Sequence, residues 1–476
     1  MTALESRKPA GFEKALGFFD VTNITVGAIV GADIYIAAAI TAGSLGPAAL
    51  LAWTLAGVLA TVIALTLAEC ARLQPVVGGP YAYAKQAFGP LPGFLTGWSM
   101  WIAELMAIPV FAIAFTNYLG FFATLAPIWE YTIRVLFVVV LTALNALSVR
   151  AAGRFNDLLT AVKLLPLVGL VIGGAIYLAS HADVAAANLI PFAPFGFGEF
   201  GSAVVLLFWA YVGFELTTVP AAEVRDPSRT IPRAMALGMG IVIVFYLSTN
   251  FVLYALVGHE QLAASNAPVA LAATVLFGAT GAALVAAGAM ASVSGSDESD
   301  ILGSSRLLYA MAGDGLLPRA FAKIHPRFRT PHVALWFQAA IAVPLVFVEH
   351  IAELISFSVF NLAFAFLLCA LALIRTHRTS VTAPARWQWI LPYGTVLICL
   401  GLLAATTTQD KAIGSLLLLV GALVYATLAP GQPLPHVLAA ITNRERLLWR
   451  LARRRVRFLG GLVAWLGRRG SPPRRP

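Results

Sequence analysis

Long apolar stretches alternate with short polar ones along almost the whole chain. Drawn at the roughly 20 residues needed to cross hydrocarbon, they make twelve spans: about 21–43, 46–70, 91–121, 132–149, 155–179, 200–224, 232–257, 280–312, 332–349, 351–375, 387–407 and 412–430. Two spans are interrupted. The first carries Gly27-Ala28-Ile29-Val30-Gly31-Ala32-Asp33-Ile34-Tyr35, and the sixth carries Tyr211-Val212-Gly213-Phe214-Glu215. Glycine weakens a helix by roughly 1 kcal/mol relative to alanine, and an aspartate near mid-membrane costs about 2.5–3.5 kcal/mol on insertion scales. A chain that keeps both in one span predicts a helix broken on purpose, exposing backbone groups to a small polar solute. Close helix packing is the rival explanation for the glycines.

Spans one to five and six to ten form two sets of five, each opening with an interrupted helix. An odd number of spans per set requires the second to be inverted in the membrane. Paired interruptions at corresponding positions point to a midplane site in a secondary transporter. The chain divides into an N-terminal segment (1–16), a first repeat (17–179), a second (200–375), two further spans (387–430) and a tail (436–476).

Composition narrows the class. The 476 residues are 59% hydrophobic and 11% charged, less than half the roughly 25% charge of soluble domains, which excludes a large soluble helical protein. Cys70, Cys369 and Cys399 lie in or beside apolar segments without metal-ligand or disulfide spacing and read as packing residues. No cofactor or metal site is expected. Residues Met1 to Glu13 are polar and carry no cleavable signal pattern, so the first span directs insertion. Threading the spans alternately puts Arg7, Lys8, Lys14, Arg72, Lys85, Arg150, Arg154, Arg225, Arg229, Arg233, Arg306, Arg319, Lys323, Arg327, Arg329, Arg375, Arg378 and Arg386 on one side. The other side receives only Arg134 and Lys411, which predicts both termini in the cytoplasm of a multi-pass protein of the cell membrane. Residues 444–469 carry nine arginines interleaved with leucines and Trp465, the pattern of an amphipathic helix lying on anionic lipid rather than on nucleic acid.

Four stretches carry a resemblance to the amino acid–polyamine–cation (APC) permease superfamily, particularly its bacterial proton-coupled amino acid transporters. They are Leu67-Ala68-Glu69-Cys70-Ala71 through Gly78-Gly79-Pro80-Tyr81-Ala82-Tyr83 with Gly93-Phe94-Leu95-Thr96-Gly97-Trp98; Phe208 to Glu215 with Ala222-Glu223-Val224-Arg225-Asp226-Pro227; Gly303 to Tyr309 with Asp314-Gly315-Leu316-Leu317-Pro318; and Thr330-Pro331. The resemblance implies an all-α integral membrane protein of twelve transmembrane helices, with a five-plus-five inverted-repeat (LeuT-like) core, two additional helices and interrupted helices 1 and 6. It also implies secondary transport by alternating access.

A broken helix leaves N–H groups free at the start of one half and carbonyls free at the end of the other. Half-helix starts attract carboxylates. In the resembled family this is how an amino acid is held, so Ala28, Ile29, Gly31, Ala32 and Asp33 are expected on one side of the substrate, with Trp209, Ala210, Tyr211 and Gly213 on the other. Here the chain departs from the family. The usual break reads Gly-Ser-Gly-Ile-Phe, and Gly31-Ala32-Asp33-Ile34-Tyr35 replaces its second glycine with an aspartate. Asp33 either caps the outer half-helix or pairs with a substrate ammonium.

Lys163 lies about 12 Å inside the fifth span at 1.5 Å per residue, where an ammonium needs a partner or must lose its proton. The resemblance implies that it stands in for the sodium ion of sodium-coupled relatives, bridging toward Gly27 and Ser294, with Ser292 as a fallback. Asp297, Glu298 and Asp300 cannot all meet one partner, since they point around more than half of a helix; Asp297 is a candidate for Lys163. Glu104 matches a carboxylate of cationic-type members and is a candidate for pairing or proton relay. Glu215 follows the second break, where a capping role is the plain alternative. Trp209 and Tyr211 are candidates for an aromatic gate.

The expected function is movement of an amino acid, neutral or cationic, by proton symport or exchange, with small-molecule substrate, protons and lipid as the partners and oligomeric state open. A polyamine or organic-cation carrier is the alternative, and a nutrient sensor without turnover is the reading from another class. No zinc, nucleophile or phosphate-loop motif supports an enzyme or a primary pump.

Overall fold

The computed structural model describes residues 16–75, 78–147, 149–218, 221, 224–348, 350–379 and 385–428. The side chains of 148–164 and 386–387 are not among the described parts. The basic tail expected on lipid and the N-terminal segment before Leu16 lie outside the described residues.

Among the described residues sixteen α-helices follow one another: α1 (Phe18–Ile29), α2 (Asp33–Leu45), α3 (Ala49–Leu73), α4 (Gly79–Phe88), α5 (Pro90–Leu119), α6 (Pro127–Leu147), α7 (Val149–Ser180) and α8 (Ala182–Leu189) make up the first half. The second half holds α9 (Phe200–Trp209), α10 (Pro227–Val257), α11 (His259–Ala263), α12 (Pro268–Gly313), α13 (His332–Leu345), α14 (Ile351–Thr379), α15 (Ile390–Ala405) and α16 (Thr408–Leu428). Seven stretches among the described residues are long and apolar enough to cross a membrane, or eight if the pair α7–α8, bent by 102°, is one span. Four more helices, α1, α9, α13 and α15, are apolar but run only 10–17 residues.

Two of these short helices are halves of the interrupted spans. α1 stops at Ile29 and the chain restarts as α2 at Asp33. α9 stops at Trp209, and after Gly213 the chain continues as a 3-10 turn, Phe214–Thr218, rather than as a second α-helical half. Of the sixth span drawn over 200–224, the α-helical part among the described residues is Phe200–Trp209. The β-branched pair Thr217-Thr218 and the following Pro220 disfavour a helix there, and the Thr218 hydroxyl donates to the Glu215 carbonyl at 2.7 Å.

The stretch between the second and third spans also holds more structure than a plain loop. Gly78 (φ +110°) and Gly89 (φ +95°) bracket α4. At Gly93 a Cβ would meet the Lys85 backbone at 2.7 Å, so α4 folds tightly back on α5. Lys85 Nζ lies 2.5 Å from Asp314 Oδ2, and the Tyr81 hydroxyl donates to the same oxygen at 2.7 Å, tying α4 to the end of α12. Burial and the Asp314 carboxylate raise the Tyr81 hydroxyl above its ordinary range, so it remains a donor.

α12 packs chiefly on α5 and α7, and α14 on α5, so α5 and α12 form the centre of the bundle. The rim is apolar and open: Ile172, Val244, Leu397, Leu419 and Leu423 are each more than half exposed. Apolar surface on this scale suits lipid rather than water.

A carboxyl-lined cavity between two broken helices

The two breaks touch each other through backbone. Gly213 adopts φ +117°, and a Cβ there would fall 2.5 Å from the Ala28 carbonyl oxygen and 3.1 Å from the Ile29 Cα. Only glycine permits both the dihedral and the approach. Thr217 Oγ1 donates to Thr25 Oγ1 at 3.1 Å, binding the 3-10 turn to α1 one turn earlier.

Neighbouring helices meet the carbonyls freed at the first break. Ser296 on α12 donates to the Val30 carbonyl at 3.4 Å, and the Tyr246 hydroxyl of α10 reaches the Ile29 carbonyl at 3.1 Å. The same hydroxyl hydrogen-bonds the Asp33 carboxylate. Asp33 takes the first position of α2, where the helix dipole favours a negative charge. At the second break the chain tightens into 3-10 bonds, with the N–H groups of Ala210, Tyr211 and Val212 donating to the carbonyls of Leu207, Phe208 and Trp209. The Glu215 carboxylate folds back to accept from the Gly213 N–H at 3.1 Å.

Between the breaks, α5 and α12 lies a cavity of about 70 Å³. Of the residues expected around a substrate, Ala28, Ile29, Gly31, Asp33, Trp209 and Gly213 line it, as do Gly27 and Glu104. Ala32, Ala210 and Tyr211 are fully buried and do not line it. The Tyr211 ring turns toward α3, where its hydroxyl donates to the Trp53 carbonyl at 3.1 Å. Trp209 faces Phe111 across the cavity, ring centroids 6.1 Å apart.

Ser294 lies outside the lining and donates to the Met290 carbonyl of its own helix at 2.8 Å. Ser292 is buried outside it too. Asp297 is fully buried, away from the cavity, with neither carboxylate oxygen partnered among the described residues. Lys163 sits on α7, and its proposed pairings fall outside the described side chains. One turn further along, Pro166 packs against Gly288 of α12.

Asp300, Ser296 and Ser299 line the cavity from α12, and Ala107 and Phe111 line it from α5 beside Glu104. None of these five was assigned from the sequence, yet helical spacing marks them. Glu104, Ala107 and Phe111 stand at i, i+3 and i+7, and Ser296, Ser299 and Asp300 at i, i+3 and i+4, each set on one face.

Glu104, Glu215 and Asp300 thus line one cavity from three different elements. Broken helices that meet around a buried polar cavity, inside a bundle with an apolar rim, define a membrane carrier for a small solute.

Comparison with known proteins agrees. The family model for amino acid permeases matches residues 16–429, and the chain belongs to that family, within the APC group. It is 25% identical to the branched-chain amino acid permease BcaP of Bacillus subtilis, over 87% of this chain and 92% of the relative. An uncharacterized transporter of Mycobacterium tuberculosis is 31% identical over 88% of this chain and 92% of its own length. The serine/threonine exchanger SteT of Bacillus subtilis is 27% identical over 86% and 95%. The chain is thus a multi-pass membrane transporter of the amino acid permease type.

Proposed function

We propose that this permease carries an amino acid across the cytoplasmic membrane by exposing the cavity between its two helix breaks to each side in turn. The observation that carries the reading is the backbone contact of Gly213 with Ala28 and Ile29 at the edge of that cavity. Two interrupted spans meeting at one buried polar void are what a midplane carrier site needs. The named relatives that handle branched-chain amino acids, or serine and threonine, support an amino acid as the passenger.

In this reading twelve spans are completed by pairing α1 with α2, and α9 with the turn after it. Residues 17–179 and 200–375 are the two inverted repeats of a LeuT-like core, and residues 387–430 supply the two added spans. Both termini are cytoplasmic, and the arginine-rich tail rests on anionic lipid. Trp209 and Phe111 flank the passenger, and Asp33 meets its ammonium. Lys163 takes part in proton coupling, by symport or exchange. A polyamine carrier is the second reading, favoured by the carboxyl groups of Asp33, Glu104, Glu215 and Asp300 around one cavity.

The test is uptake by the purified full chain in liposomes, with labelled amino acids and polyamines under an imposed pH gradient. Uptake of at least one amino acid is expected. Uptake of polyamine with no amino acid would overturn the first reading in favour of the second. Lys163→Ala is expected to flatten the pH dependence of uptake, and unchanged pH dependence in a folded variant removes the coupling role.

A further inference from the structure

Between α7 and α10 the rim of the bundle holds an open groove of about 630 Å³, against about 70 Å³ for the cavity at the breaks. Val171 of α7 and Leu237, Gly240, Ile241, Val244 and Phe245 of α10 line it. Leu237, Ile241 and Val244 are 45%, 44% and 67% exposed, and a Cβ at Gly240 would meet open space. Along α10 the groove runs from Ala236 to Ser248, about 18 Å at 1.5 Å per residue. Half of a roughly 30 Å hydrocarbon core is about 15 Å. The groove is therefore about as long as one leaflet is deep.

The charge of α10 is gathered at one end of this groove. Along the whole helix, Pro227–Val257, only Arg229 and Arg233 are charged. Leu237, Gly240, Ile241 and Val244 follow Arg233 at i+4, i+7, i+8 and i+11, so Arg233 continues the groove's own stripe. It is exposed, and helical side chains lean toward the N-terminus, which carries its guanidinium away from the apolar slot and toward the membrane surface. Arg229 stands one turn further out, its side chain 77% exposed. Both lie in the first two turns, where the helix dipole disfavours cations and attracts anions. Asp226, ahead of the helix, answers part of this charge, its Oδ2 lying 3.9 Å from Arg229 Nε. Arg233 has no ion pair among the described residues.

We propose that this groove binds an anionic phospholipid, with one acyl chain lying along Leu237, Ile241 and Val244 and the phosphate held by Arg233 and Arg229. An apolar slot of one-leaflet length that ends in positive charge has the shape and polarity of such a molecule. A free phosphate would leave the slot empty, and a wholly apolar occupant would leave Arg233 unpaired. The opposite face of α10 gives the site its reach. Gly238, Val242 and Tyr246 are buried there at i, i+4 and i+8. At Gly238 a Cβ would fall 2.7 Å from the Thr25 side chain of α1, and Tyr246 holds Asp33 and the Ile29 carbonyl. A lipid seated in the groove therefore backs the helix that supports the first break. The site lies apart from the cavity and does not depend on which solute passes through it.

The test uses the purified full-length chain in detergent with phosphatidylglycerol that carries a photoreactive group midway along one acyl chain. After irradiation, adducts mapped by mass spectrometry are expected to concentrate on Val171 and on α10 from Leu237 to Phe245. Unlabelled phosphatidylglycerol is expected to displace the probe at about tenfold lower concentration than phosphatidylcholine, a ratio within what two arginines near a lipid surface supply. It is also expected to raise the melting temperature, since it binds the folded chain. Arg233→Gln should erase most of the preference between the two lipids while the adducts stay on α10. Gly240→Leu fills the open space and should abolish those adducts and the melting shift. Arg233 is exposed, so its variant stays readable whether or not Gly240→Leu folds. Adducts spread evenly over the rim to Leu397, Leu419 and Leu423, equal displacement by both lipids, or a preference that survives Arg233→Gln overturns the proposal. Crosslinks joining two copies of the chain through α10 overturn it in favour of a second copy as the occupant.

Discussion

At the first break, between Ile29 and Asp33, the loose backbone is held from outside. Hydroxyls of Ser296 and Tyr246, on helices far along the chain, reach the carbonyls of Val30 and Ile29. At the second, between Trp209 and Phe214, the chain holds itself: 3-10 bonds take up the carbonyls, Glu215 covers the Gly213 N–H, and Gly213 turns left-handed. A break kept open by distant partners can change when those helices move. A break kept open by its own dihedrals stays as it is. The first is thus suited to respond to its neighbours and the second to act as a fixed edge against which the first closes.

The comparison can be broken most directly at Gly213. Gly213→Ala puts a methyl 2.5 Å from the Ala28 carbonyl at a positive φ, and backbone strain of this kind alone costs about 1–3 kcal/mol. Melting several degrees lower and near-complete loss of uptake are expected; a variant that melts and transports normally would show that the second break is not fixed. Tyr246→Phe comes next. It removes the donor to Asp33 and Ile29, leaving a buried carboxylate short of one bond, at about 1–3 kcal/mol. Uptake should fall while the second break is untouched, and an unchanged melting temperature would refute support from outside.

Asp33→Gly restores the family's usual glycine at the first break. Its expected effect is on selectivity, with the ratio of neutral to cationic uptake rising; identical selectivity would mean that Asp33 serves only the helix. Thr217→Val is the mildest change. It deletes the hydrogen bond to Thr25, worth about 0.5–1.5 kcal/mol, and should lower the melting temperature slightly with uptake nearly intact. A loss as large as that of Gly213→Ala would place the joint between the breaks at Thr217 instead.

Much of this was legible along the chain. Gly31, Asp33 and Gly213 stand out because glycine and carboxylate are costly inside an apolar helix, and the helices stop beside them. Glu104 and Asp300 are visible as acids in apolar stretches, but their meeting is not. α5 and α12 lie some two hundred residues apart in sequence, and only their packing brings the two carboxyls to one cavity. Tyr246 gave no signal at all. A tyrosine in an apolar helix reads as core, and its partner Asp33 is 213 positions away. Tyr211 misled for the opposite reason: it sits in the interruption itself, yet its ring packs against Trp53 on α3.

What the sequence determined by itself is local. Apolar run length set which stretches become helices, and the cost of glycine and charge in such a run set where two of them break. The tertiary structure alone decided which side chains meet at the breaks: the tyrosine that holds Asp33, the serine that covers Val30, and the three acids that share one void. The reason is physical. Helix propensity and hydrophobicity act over a few residues, whereas a buried polar atom is satisfied by whatever donor the packing of distant helices delivers.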